Sequence, residues 1–171
     1  MPIWKGKEPP WDKNIDMDVH TPIDKKKFME ILDAVPICTV DVMFLNNSKT
    51  KTLLFKRVND PLHGVFFAVG GRLLKNERIK DAAVRQVLRE TGLSIFKDDL
   101  FFGGVQDEMH HNSVFKGISY HAVNIYYGYI LDESIQMKLD NQHTECKWID
   151  VAEETLHPFI KSRLKDLLLT I

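Results

Sequence analysis

Gly70-Gly71-Arg72-Leu73-Leu74-Lys75-Asn76-Glu77, running on to Arg85-Gln86-Val87-Leu88-Arg89-Glu90-Thr91-Gly92-Leu93, decides how the rest of the chain is read. Phe66-Phe67-Ala68-Val69 precedes it, a short apolar run of buried-strand type. Two adjacent glycines predict a turn where backbone can come close to a ligand, because a residue without Cβ accepts φ > 0 and leaves room. From Glu77 to Thr91 good helix formers dominate, with Ile79, Ala83 and Val87 at helical spacing. Gly92 stands where a left-handed C-terminal residue belongs.

On such a helix residues 86, 89 and 90 project together. Three carboxylates there would hold several hard cations, since magnesium takes oxygen ligands in an octahedron. This chain offers an amide, a guanidinium and one carboxylate, Glu90. That set suits one Mg²⁺ and poorly supplies a cluster carrying a nucleophilic water. Glu77 and Arg85 read as a structural ion pair, and Arg89 as a solvated helix residue.

The 171 residues suit one domain with a substantial core. A hydrophobic share of 44% and a charged share of 27% are those of an ordinary soluble protein. A net charge of -1 gives no global field for nucleic acid, so anion binding must be local. Cys38 and Cys146 are too few for a disulfide framework and read as buried thiols. No signal pattern or membrane-length apolar run stands out, which predicts a cytoplasmic protein that does not engage membranes.

Residues 1–20, with Trp4, Trp11 and three prolines among charges, read as an extended arm. It either packs on the body or a second subunit, or is a partly disordered leader. Residues 21–171 form the single domain. Thr21-Pro22-Ile23-Asp24 predicts a helix start, and Pro36 ends that helix. Ile37–Leu45 and 53–57 form a hairpin around Asn46-Asn47-Ser48. Asp41, alone in its apolar strand, is either paired beside a ligand or open to water. Strand material follows at 98–105, then a polar, histidine-bearing loop or lid at 106–119 and a strong β run at 120–131. A short strand at 147–149 and a helix at about 158–169 with Ile160, Leu164 and Leu167 close the chain. Gln142 and His143 fall in a polar turn. His110, His111 and His121 lack the spacing of a metal site. Strands interleaved with helices predict an α+β, α/β/α layered domain.

The glycine-to-helix stretch resembles the Nudix box, G-x5-E-x7-R-E-U-x-E-E-x-G-U, with Gly71, Glu77, Arg85, Val87, Glu90, Gly92 and Leu93 in register. Gln86 and Arg89 depart from it. Together with Asp41, Lys56-Arg57-Val58-Asn59, Arg72 and Asp140-Asn141-Gln142-His143, the pattern over roughly residues 36–150 is similar to the GDP-mannose mannosyl hydrolases. That resemblance implies a Nudix-type α/β/α sandwich with a mixed sheet. It implies hydrolysis of GDP-mannose or GDP-glucose to GDP and free sugar, by water attacking the anomeric carbon. It implies one Mg²⁺ per active site on Glu90, the Gln142 side chain and the Gly70 carbonyl, with His143 as general base. Arg57, Arg72 and Arg85 are implied near the diphosphate, Asp41 as an aid to substrate or base, and a homodimer. The family's tyrosine falls on Ala122, leaving Tyr120 or Tyr126 as substitutes.

The chemistry is coherent: a departing diphosphate gathers negative charge that Mg²⁺ and arginines stabilise, so a weak base such as histidine suffices. Two other readings compete. One is an ordinary pyrophosphohydrolase attacking phosphorus, with Asp107, Glu108 or Glu145 replacing the lost ligands. The other is a non-catalytic nucleotide-binding module.

Overall fold

The computed structural model of the chain describes residues 23–137 and 143–170, with the backbone only at 143 and 144. The predicted N-terminal arm lies outside these residues. The first helix, α1 (Lys25–Ala34), starts from Asp24, whose side chain accepts the Lys27 N–H at 3.0 Å. The cap is Asp24, not the expected Thr21, which lies outside the described residues. Three consecutive lysines in the first turn explain the choice, because a carboxylate both satisfies a free N–H and offsets their charge.

Among the described residues seven strands follow: β1 (Ile37–Leu45), β2 (Lys51–Arg57), β3 (Phe66–Phe67), β4 (Val69–Arg72), β5 (Phe101–His110), β6 (Tyr120–Ile130) and β7 (His143–Asp150). Helix α2 (Ile79–Thr91) lies between β4 and β5, and α3 (Pro158–Thr170) closes the chain. The sheet runs β3-β2-β1-β6-β5, with β4 also on β1 and β7 on β2. β1 and β6 are parallel and the other pairs antiparallel, so the sheet is mixed.

Alternation along β1 builds both cores, since successive side chains point to opposite faces. Val40, Val42 and Phe44 pack on Ala82, Ala83 and Val87 of α2. Met43 and Leu45 join Leu54 and Tyr126 beneath Ile160, Leu164 and Leu167 of α3. On that same face α1 sets Leu32 over Ile37 and Ala122. The expected α/β/α sandwich is therefore formed. No helix among the described residues is long and apolar enough to cross a membrane.

Several local expectations are corrected. Gly70 and Gly71 lie within β4 and make no turn. A Cβ on Gly70 would stand 2.0 Å from Asp41 Oδ1 and 2.4 Å from the Val40 carbonyl oxygen, and one on Gly71 2.7 Å from Gln86 Nε2. Close approach is what demands glycine here. Ile79 is 38% exposed; the buried face of α2 is Ala82, Ala83, Gln86, Val87 and Glu90. Gly92 does cap α2 with φ 71°, its N–H donating to the Leu88 carbonyl at 2.9 Å.

β5 extends through the stretch 106–110 that reads as loop. The usual pattern is inverted there: Glu108 turns inward while Val105 and Met109 are exposed, so a polar-looking segment is a strand. β7 likewise begins at His143 rather than 147, pairing Arg57 with His143. Cys38, expected buried, is exposed, and Cys146 is half-buried.

Candidate functional site

The odd-numbered side chains of β1 that precede Met43 lie outside the core under α3, and Ile37 belongs to the small apolar cluster under α1. Ile37, Thr39 and Asp41 line a cavity of about 210 Å³ between α1, the loop after β2, and the sheet. Parallel pairing sets Asn124 of β6 beside Thr39, and its Nδ2 donates to Thr39 Oγ1 at 2.8 Å. Glu108 of β5 completes the polar floor, and Phe28 and Leu32 of α1 supply an apolar wall.

Three guanidinium groups border this floor: Arg57, Arg72 and Arg89. Arg57 is held by its Nε donating to the Pro61 carbonyl at 3.1 Å. Arg72 stacks on the Phe28 ring, 3.8 Å from its centroid, an arrangement that desolvates a planar cation. Burial lowers the Arg72 pKa, and the neighbouring cation Arg89 lowers it further. The carboxylates of the same lining already have partners, Asp41 and Glu108 in Arg163 and Asp60 in Asn112, so the three cations at the border form a receptor for an anion with several oxygens.

Beneath the floor lies a buried ion cluster. Arg163 of α3 is 0% exposed and donates from Nη1 to Asp41 Oδ2 at 2.7 Å, from Nη2 to Glu108 Oε2 at 2.6 Å, and from Nε to Gln106 Oε1 at 3.1 Å. Burial raises the Asp41 pKa to about 6, with Arg163 opposing and Glu108 reinforcing the rise. Burial would lift Glu108 as well, but its contact with His110 (3.1 Å) and the Arg163 cation outweigh that and hold it low. Tyr120, also lining the cavity, has its hydroxyl pKa pushed up by burial and then by Glu108 and Asp41.

On the other side of β4, α2 carries a second cluster. Glu77 takes Arg85 Nε and Nη2 at 2.5 and 2.8 Å and also accepts the Leu74 N–H at 2.9 Å. Arg85 Nη2 donates on to the Arg72 carbonyl at 3.0 Å. This fork holds the loop between β4 and α2, as the structural reading of Glu77 anticipates. Glu90, buried at 2% exposure, accepts the Gly70 N–H at 3.1 Å and Arg89 Nη2 at 2.5 Å.

Of the residues singled out in sequence, Asp41, Arg57, Gly70, Arg72 and Tyr120 meet at one cavity, with Glu90 bonded to Gly70 behind it. Arg85 faces Glu77 instead, and Arg89, read as solvated, borders the cavity. Gln142 and the His143 side chain lie outside the described residues, although the His143 backbone pairs with that of Arg57. Tyr126 points away, its hydroxyl donating to Asp166 at 2.5 Å. Ala122 is buried under α1. Asp107 and Glu145 are exposed, so Glu108 alone of the three rival carboxylates lines the cavity. Arg163, Asn124 and Gln106 escape sequence reading. A cation one turn after Ile160 and one turn before Leu167, on the apolar stripe of α3, is the signal that marks Arg163.

The donor set around Glu90 fits one hard cation. Among the described residues no three His, Cys, Asp or Glu side chains cluster as a metal group. Yet Gln86 Oε1, one helical turn before Glu90, is a buried oxygen with no hydrogen-bond partner. One carboxylate with neutral oxygens is a low-charge site, of the kind that magnesium completes with substrate phosphate.

Comparison with known proteins agrees with this architecture. The model of the NUDIX domain matches residues 37–168. The low-salt glycan biosynthesis protein Agl8 of Haloferax volcanii is 28% identical over 148 residues, 86% of this chain and 92% of that protein. A MutT NUDIX hydrolase from Burkholderia pseudomallei superposes with a TM-score of 0.62 at 18% identity, covering 77% of this chain and 98% of that one. The NUDIX domain of Shewanella oneidensis NrtR, solved with ADP ribose, gives 0.60 at 15% identity over 84% and 96%. At such identities the two structures speak for the fold alone.

Proposed function

The chain belongs to the NUDIX domain family, and on that premise we propose that it hydrolyses a nucleoside diphosphate sugar, GDP-mannose or GDP-glucose, to GDP and free sugar. The observation that carries this reading is the placement of charge at the cavity, whose own carboxylates Asp41, Asp60 and Glu108 are already held by Arg163 or Asn112. Arg57, Arg72 and Arg89 border it, while the box helix contributes one carboxylate, Glu90, already bonded to Arg89 and Gly70.

Cleavage at the anomeric carbon breaks the bond from that carbon to the diphosphate oxygen, and the bonding electrons leave with the diphosphate. The arginines meet that charge as it develops. Arg89 takes the place expected for Arg85, whose guanidinium is committed to Glu77. The polar floor of Thr39, Asp41 and Asn124 suits sugar hydroxyls. A second hollow of about 460 Å³ adjoins it behind the Arg72–Phe28 stack, lined by Ile31, Leu73 and Leu74, and gives room for the rest of the nucleotide. Glu90, the Gly70 carbonyl and Gln142 would hold Mg²⁺, which would supply Lewis-acid stabilisation of the diphosphate. His143, whose strand pairs with Arg57, takes the proton of the attacking water. Similarity to a glycan biosynthesis protein supports a sugar substrate, and the proposed site is that of a homodimer's subunit in the cytoplasm.

The test is product analysis in ¹⁸O-labelled water with Mg²⁺ across a panel of nucleotide sugars. Free sugar carrying the label, with unlabelled GDP, is the expected result. GMP and sugar 1-phosphate with label in phosphate would mean attack at phosphorus, and tight binding without turnover a non-catalytic module.

A further inference from the structure

We propose that Arg163, on the closing helix α3, is a positioning residue that fixes the orientation of the Asp41 and Glu108 carboxylates at the cavity floor, and so sets the rate of the reaction without touching substrate. The proposal rests on the hydrolase reading above. Arg163 is buried and is absent from the cavity lining, whereas both carboxylates it holds are part of that lining. Its three donating nitrogens take three acceptors on two strands, Asp41 on β1 and Gln106 and Glu108 on β5, and so reach across β6, which lies between them. The guanidinium also lies 5.1 Å from the Phe67 ring centroid and 5.5 Å from that of Tyr126, which fixes its plane.

Packing alone gives no reason for this group. A buried ion cluster is usually no more stable than well-packed hydrophobes of similar volume, and the neighbouring positions Ile160, Leu164 and Leu167 are apolar. What a hydrophobe cannot do is aim two carboxylates. One oxygen of each is taken by Arg163, and the other Glu108 oxygen by His110. The second oxygen of Asp41 faces Gly70, where a Cβ would collide with it. A planar fork matters here, because a lysine carries the same charge but cannot bond two carboxylates in one plane.

The experiment compares the wild type, Arg163→Lys and Ile160→Val, reading kcat and KM for GDP-mannose with Mg²⁺ and the melting temperature of each. Arg163→Lys is expected to lower kcat by about 30-fold or more while KM changes less than about threefold. Ile160→Val, which thins the packing of the same helix face without touching a carboxylate, keeps kcat within about twofold. A kcat for folded Arg163→Lys within twofold of wild type overturns the proposal, as does an equal loss in Ile160→Val. If the wild type binds GDP-mannose but does not turn it over, the hydrolase reading fails and affinity decides the rest. Then a tenfold weakening in Arg163→Lys but not in Ile160→Val supports positioning, and equal affinities overturn it. A wild type that neither binds nor cleaves any nucleotide sugar overturns both.

Discussion

Two clusters of arginine and carboxylate lie on either side of Gly70, alike in composition and opposite in setting. On the α2 side, Arg85 and Arg89 have side chains 33% and 45% exposed, and their partners Glu77 and Glu90 are eight and one residues away. On the α3 side, Arg163 is 0% exposed and its partners Asp41 and Glu108 are 122 and 55 residues away. At the water boundary an arginine can exchange one anionic partner for another at little cost, which a site that binds and releases phosphate requires. In the interior an unpaired charge has no solvent to fall back on, so the same groups become fixed framework. Depth, more than residue type, separates the groups that meet a ligand from those that hold them in place.

The sharpest way to break this contrast is to remove the buried cation. Arg163→Met leaves two carboxylates in the interior without their partner and is expected to cost about 3–5 kcal/mol. Urea denaturation followed by fluorescence measures it. Adding Asp41→Asn and Glu108→Gln to the same chain should recover part of the loss. A cost under about 1 kcal/mol would show that water reaches the cluster, and the division by depth would fail.

Next in size is Glu90→Gln. The amide still accepts the Gly70 N–H, so folding should change little, while the carboxylate proposed to hold the cation is gone. By analogy with the loss of an oxyanion donor, the expected effect is about 2.7–4 kcal/mol on the barrier, or roughly 10²–10³-fold in kcat. Steady-state kinetics over a Mg²⁺ titration is the measurement. An unchanged Mg²⁺ dependence would move the cation elsewhere.

Acid and base sharpen the contrast further, because the two buried carboxylates titrate in opposite senses. Asp41 has its pKa raised from 3.8 to about 6 on folding, so its contribution to stability is present below about pH 4 and lost as pH climbs through 6. Glu108 is held below its ordinary 4.5, so its contribution is present above that value and lost as pH falls. Asp41→Asn removes the first and keeps the second. Relative to wild type, the variant is expected to gain on the order of 2 kcal/mol between pH 4 and pH 7. Denaturation curves at the two pH values decide it, and a difference that does not grow with pH would show that Asp41 ionises as freely folded as unfolded.

Legibility in the sequence follows the same division. The Glu77–Arg85 pair could be read because its two members lie eight residues apart on one loop-and-helix segment, whereas Arg89, read as solvated, borders a cavity built by distant strands. The layered fold was legible for a related reason: β1 and the apolar stripes of α2 and α3 announce their buried faces by period. Residues 106–110 misled because Glu108 turns inward to the cavity and Arg163 while Val105 and Met109 face outward, so the strand's polarity is the reverse of the usual one. The partners of Arg163 were out of reach, since no local rule connects position 163 to 41. Only the parallel pairing of β1 with β6 and the antiparallel pairing of β6 with β5 bring its three acceptors under one helix.

The smallest expected effect calibrates the rest. Lys97 meets Asp81 on the outer side of α2 at 3.1 Å, a separation close to the 2.7 Å between Arg163 and Asp41, but with side chains 56% and 45% exposed. Water screens such a pair and two flexible side chains must be ordered to make it, so exposed pairs contribute about 0.2–1 kcal/mol. Lys97→Ala should therefore cost at the low end of that range, and the cost should vanish in 1 M salt, where screening reaches only about 3 Å. The Arg163→Met cost should persist in the same salt, because no counterion enters the cluster. If both losses shrank together, distance between charges would be the governing variable, and the buried cluster would be an ordinary surface pair that happens to lie deeper.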